Sequence, residues 1–220
     1  MDIAALRTEL EAVAKPEQVE QMVAYMKGYF AFLGVKAPQV RLAAKATMAA
    51  GKGAEAAELI RFANECWEQP EREFQYVGCQ FLRKWVAALE PANLDDLERL
   101  IVTKSWWDSV DSLAAWSVGP LVRANPQLAE VMDRWIDSDN MWLARTAIIH
   151  QLSYKADTDA DRLFSYAESR AEDPEFFIRK AIGWALRQYA RQEPDQVRSF
   201  VAANEDRLSG LTKREALKHL

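Results

Sequence analysis

The chain is short of the residues that build metal centres and disulfide scaffolds. Two cysteines, Cys66 and Cys79, and two histidines, His150 and His219, are all that 220 residues contain. The cysteines show no ligand-type spacing, so a zinc site is not expected. Two thiols make no disulfide framework, and a reduced, cytoplasmic setting fits them best. No apolar run approaches the roughly 20 residues that span a bilayer. The opening "MDIAALRTELEAVAKPEQ" carries acids and lacks the basic start, apolar middle and cleavage site of a secretory signal. Glycine and proline number only eight each, and no segment shows the sustained alternation of a half-buried strand.

What is abundant points to helix. Half of the residues are hydrophobic, enough for a sizeable core, and alanine, leucine, glutamate and arginine are plentiful. Period-3.6 patterning predicts helices over about 2–14, 17–33, 38–51, 54–67, 70–88, 93–102, 107–122, 126–136, 139–153, 158–170, 174–192, 194–204 and 212–219. Pro16 and Pro174 suit first turns. Asn93 suits an N-cap, and Gly34, after an apolar run, a C-cap.

A faint repeat runs through the pattern. The segments "PQVRLAAKA", "REFQYVGCQFL", "SWWDSVDSLAA", "NMWLARTAII" and "EFFIRKAIGWAL" align on Val40, Phe74, Trp107, Trp142 and Phe177, spaced by 34, 33, 35 and 35. A period in that range built from helix pairs predicts an all-α, curved solenoid of HEAT-like antiparallel pairs, a single domain over 1–220 with a concave groove. The second helix of each pair lines such a groove, which brings Trp107, Arg145, Arg179 and Trp184 near it.

The net charge of −5 is unevenly spread. Residues 21–54 carry Lys27, Lys36, Arg41, Lys45 and Lys52 and no acid. Residues 55–175 sum to −11 and residues 176–220 to +4. Solvated helix faces account for such charge in most proteins. A polyanion gripped through the basic segments also accounts for it, because phosphate contacts need local rather than net positive charge.

Within the pattern, Trp107 and Asp111 are four apart and share a helical face. Arg145 stands in the apolar run "MWLARTAII", where an arginine is either paired or reaching into a groove. Arg179, Lys180 and Arg187 surround Trp184, and Tyr25 and Lys27 open the acid-free segment. Aromatics interleaved with bases suit a nucleic-acid backbone with an exposed sugar or base. His150 and both cysteines read as core; Trp67, Trp85, Trp116, Trp135 and Trp142 read as packing. From residue spacing alone, an enzyme and a protein-binding scaffold remain about equally open.

The segments "LIVTKSWWDSVDS", "IDSDNMWLARTAIIHQL", "EFFIRKAIGWALRQYA", "LTKREALKHL", "AYMKGYFAFLGV" and "CWEQPEREFQ" together closely resemble the bacterial DNA-alkylation-repair glycosylases of the AlkD family, from end to end of the chain. The resemblance implies a HEAT-like-repeat enzyme of base excision repair that hydrolyses the N-glycosidic bond of N3- and N7-alkylated purines in duplex DNA. It implies an active-site cleft formed by Trp107, Asp111 and Trp184, with Arg145 contacting DNA beside the lesion and Tyr25 matching a further motif position. It also implies no cofactor, no lyase step, no base flipping, and a monomer in the nucleoid with no obligate protein partner. On that footing Lys27, Lys36, Arg41, Arg179, Lys180, Arg187, Lys213 and Arg214 are the expected phosphate contacts. A DNA-binding paralogue without catalysis and a helical scaffold are the alternatives.

Overall fold

A computed structural model describes all 220 residues. They form helices joined by short turns, without a β-strand; one isolated parallel bridge links Ala31 and Glu71. The chain divides into two compact units, Met1–Lys104 and Ser105–Leu220. No helix is long and apolar enough to cross a membrane.

The first unit comprises α1 (Ile3–Glu11), α2 (Pro16–Tyr25), α3 (Ala37–Ala43), α4 (Lys45–Ala50), α5 (Ala56–Glu68), α6 (Arg72–Lys84) and α7 (Leu94–Val102). Two of its helices, α1 and α5, begin where a side chain satisfies free N–H groups. Asp2 accepts from Ala4 and Ala5 N–H, and Glu55 and Glu58 form a capping box on α5. The core joins Leu6 and Leu10 to Val40, Leu59, Phe74 and Leu97, with Phe62 edge-on to Phe81 at 4.8 Å.

The longest departure from the sequence pattern lies between α2 and α3. Apolar periodicity continues to residue 33, but α2 stops at Tyr25. Lys27 and Gly28 follow in left-handed backbone, φ 58° and 78°, which no helix continues through. The backbone donors of the next stretch then go to a side chain instead of a helical ladder. The buried Glu73 carboxylate accepts from Leu33, Gly34 and Val35 N–H at 3.0–3.1 Å. Gly34 therefore caps no helix. It is required because its φ is 87° and because an added Cβ would stand 2.2 Å from the Lys15 carbonyl oxygen.

The second unit comprises α8 (Trp107–Leu113), α9 (Gly119–Ala124), α10 (Ala129–Trp135), α11 (Met141–Ile149), α12 (Ala160–Ser169), α13 (Phe176–Tyr189), α14 (Pro194–Ala203) and α15 (Gly210–Ala216). Helices α8 and α9 are one helical run with a π-turn over Ala114–Val118. Pro120 explains the widening, since it has no N–H and its ring crowds the carbonyl four residues back. Tyr154 Oη donates to the Gly119 carbonyl at 2.7 Å. Pro174 precedes α13 by two residues instead of lying in its first turn. Asn93 does hold the N-cap position of α7, but its side chain bonds Glu90 N–H and the Asp96 carboxylate and caps no backbone N–H of the helix.

The repeat is clearer in the helix starts than in the letters. Helices α3, α6, α8, α11, α13 and α15 begin at 37, 72, 107, 141, 176 and 210. In the first unit α3 packs on α6; in the second α8 packs on α11, α11 on α13 and α13 on α15. Successive second helices of the pairs thus form one layer within each unit. In the second unit Asp111, Arg145, Lys180 and Arg214 each stand four residues after the first residue of their helix, which puts them in register along that layer.

Candidate active site

The site is assembled on α8, α11 and α13. Trp106 is extended and Trp107 opens α8, so the helix begins inside the "WW" pair. One turn on, Asp111 lies on the same side as Trp107. Helix α11 starts at Met141 because Asn140 accepts from Trp142 N–H at 3.0 Å. Its residues Leu143 to Ile149 are all buried, and Arg145 among them is 3% exposed.

A charged group that deep requires a partner, and Arg145 has two. Its Nε and Nη2 donate to Asp111 Oδ1 and Oδ2 at 2.7 and 2.8 Å. Its Nη1 donates to the Phe177 carbonyl on α13. The result is a two-pronged arginine–carboxylate pair, the geometry in which such pairs are strongest and best oriented. The Asp111 side chain keeps 17% of its surface, so one end of the pair is open to a ligand. Burial raises the Asp111 carboxyl above its ordinary value; the Arg145 fork pulls it down and Asp108 pushes it up. The pairing nevertheless requires the ionised carboxylate.

A cluster of aromatic rings adjoins the arginine. The Arg145 guanidinium lies 5.8 Å from the Phe177 ring centroid. Phe177 in turn contacts Trp142 at 5.1 Å and Trp106 at 5.2 Å, and Trp106 meets Trp142 at 5.9 Å. Phe176 stands edge-on to Phe177 at 5.4 Å and is 56% exposed. Trp107 and Trp184 are both half-buried. Of the indoles read as packing, Trp67 and Trp135 are buried, whereas Trp116 is 38% exposed.

The candidate phosphate contacts divide into two groups. In the first unit Tyr25, Lys27, Lys36 and Arg41 are exposed. In the second unit most of them already hold protein groups. Lys180 Nζ lies 2.7 Å from Glu215 Oε1, and Arg187 pairs with Glu215 Oε2. Arg179 Nε donates to the Asp173 carbonyl at 2.7 Å, and Lys213 Nζ to the Glu205 carbonyl at 3.0 Å. Arg214 is exposed. Arg145, read from the resemblance as a DNA contact, is committed to Asp111 and Phe177. No group of three or more His, Cys, Asp or Glu side chains is placed to hold a metal ion.

Sequence reasoning missed two features. The Phe177 carbonyl leaves no signal in residue type. Glu215 did leave one: it is the lone acid in "LTKREALKHL".

The fold and this site define the class as an all-α helical-repeat protein with an arginine-held carboxylate among aromatic rings. The chain belongs to the DNA alkylation repair enzyme family, whose sequence profile matches residues 6–220. A solved structure of a predicted DNA alkylation repair enzyme from Enterococcus faecalis is 30% identical, with a TM-score of 0.87 over 94% of this chain and 96% of that one. The crystal structure of AlkD2 from Streptococcus mutans is 16% identical, with a TM-score of 0.65 over 92% of this chain and 99% of that one. That likeness shows the fold alone, an AlkD-type helical solenoid. No curated protein matches the sequence.

Proposed function

We propose that this chain is a monofunctional DNA glycosylase that releases N3- and N7-alkylated purines from duplex DNA, with Asp111 as the catalytic carboxylate and Trp107 and Trp184 as the walls of its site. The observation that carries this reading is the Asp111–Arg145 pair: a carboxyl gripped at both oxygens by the arginine in one orientation, mostly buried, with part of its surface open.

The chemistry needs little more. An alkyl group on N3 or N7 makes the purine cationic, so it leaves without a general acid and the usual second carboxylate is dispensable. As the N-glycosidic bond breaks, the bonding pair goes to the base, which departs neutral, and positive charge develops on the deoxyribose. A fixed carboxylate stabilises that charge best where water is scarce. Water then bonds to C1′ and loses a proton, leaving an abasic sugar in an uncut strand. Each indole face attracts the developing cation by about 0.5–2 kcal/mol. The reading includes turnover of the lesion within the base stack, a monomer, and no cofactor.

Arg145 acts here as a positioning residue: it orients Asp111 and keeps it ionised despite burial. Tyr25, Lys27 and Arg214 are the proposed solvent-facing DNA contacts, joined by Arg179, Lys180, Arg187 and Lys213 as far as their internal partners release them. A scaffold that bound only proteins would have no use for a carboxylate locked in this way. The test is release of 7-methylguanine from duplex DNA by the wild type and by Asp111→Asn.

A further inference from the structure

We propose that Glu215 is a specificity-determining residue that withholds Lys180 and Arg187 from the phosphates of undamaged DNA. The inference rests on the duplex-binding reading above and adds to it a reason for an acid at the site's edge.

Glu215 reaches from α15 to α13 and bridges two cations at once, Lys180 Nζ at 2.7 Å and Arg187 through the other oxygen. The two cations lie four residues before and three residues after Trp184, so all three share one face of α13. Lys180 also stands in register with Asp111 and Arg145 on the neighbouring helices. The acid therefore neutralises positive charge on the face that carries the proposed wall of the site.

The carboxylate is built into place. Its side chain is 15% exposed, and α15 is seated tightly on α13. A Cβ on Gly183 would stand 2.5 Å from the Glu215 Cβ and 2.9 Å from the Thr212 carbonyl oxygen. Thr212 Oγ1 donates to the Arg179 carbonyl at 3.1 Å, and Ser209 caps α15 by accepting from Thr212 N–H. Lys180 first and Arg187 second hold the Glu215 carboxyl below its ordinary range, so it stays anionic wherever DNA is bound.

To Lys180 and Arg187, a carboxylate offering each of them one oxygen stands where a phosphate would. Phosphate attraction is the same for damaged and undamaged duplex. Withholding two cations thus weakens non-specific binding and leaves more of the discrimination to the lesion's own charge.

The experiment measures binding of undamaged duplex as a function of salt for wild type, Glu215→Asp, Glu215→Gln and the double variant Lys180→Gln/Glu215→Gln. Each freed cation steepens the slope of log affinity against log salt by about 0.9. The expected order of steepness is Gln above Asp above wild type, with Gln about 1–2 beyond wild type and tighter at low salt. The double variant should fall back by about 1 from Gln. A wild-type slope in either folded single variant overturns the proposal and leaves Glu215 as a helix-docking contact. Base release by the wild type reads the glycosylase assignment separately: slopes that do not change beside normal release sink only this inference.

Discussion

Asp111 and Arg145 show how one residue sets the state of another. Alone, a carboxyl so buried would drift toward its neutral form; the arginine fork opposes that drift without cancelling it. Two consequences follow for Arg145→Lys. A lysine is a point charge that cannot hold both oxygens, so kcat should fall by about 10- to 100-fold with KM nearly unchanged. Losing the fork also raises the Asp111 carboxyl further, so the acid limb of the pH–rate profile should move to higher pH. A rise in KM with no displacement of that limb would instead make Arg145 a direct DNA ligand.

Between helices, the decisive feature is how closely α13 and α15 approach. Gly183 permits it, and Gly183→Ala measures it. The substitution gains up to about 1 kcal/mol of helix propensity but drives a Cβ into Thr212 and Glu215. Because one obstacle is a backbone carbonyl, the net effect should be a loss of about 1–3 kcal/mol, read as a lower thermal midpoint. An unchanged or higher midpoint would show that α15 shifts freely.

Helices were also the level at which the sequence was most legible. Apolar periodicity located the second helices, whose starts repeat within a residue of one another, because a repeat's buried face leaves a mark in every copy. It failed between Tyr25 and Val35, where the apolar letters persist but Glu73 takes the backbone donors from 40 residues away. No local window contains that competitor. The proposed site residues came from the resemblance to a family, since residue spacing alone left Trp107 and Asp111 as ordinary core and surface. The Arg145 bond to a backbone carbonyl and the Glu215 bridge are products of packing between repeats, and only coordinates reveal them.

At the scale of the molecule, stability should depend on pH through His150. It is fully buried and its pKa is pushed down to about 4 by burial, against an ordinary 6.5. The unfolded chain therefore binds a proton that the folded chain refuses. That contribution is fully present above the unfolded pKa of about 6.5 and is lost as pH falls toward 4, amounting at most to about 3 kcal/mol. Urea midpoints measured at pH 7, 5 and 4 should fall steeply for the wild type and less steeply for His150→Asn, whose side chain does not titrate. Parallel lines for the two proteins would place the acid sensitivity elsewhere.

The claim on which the account turns is that an ionised Asp111 drives departure of a base already made cationic by damage. Single-turnover release of 7-methylguanine from duplex DNA at neutral pH, by wild type and Asp111→Asn with equal bound fractions, tests it most directly. The expected outcome is release by the wild type, an uncut abasic strand, and a loss of about 100-fold or more in the variant. Release by Asp111→Asn at the wild-type rate would contradict it.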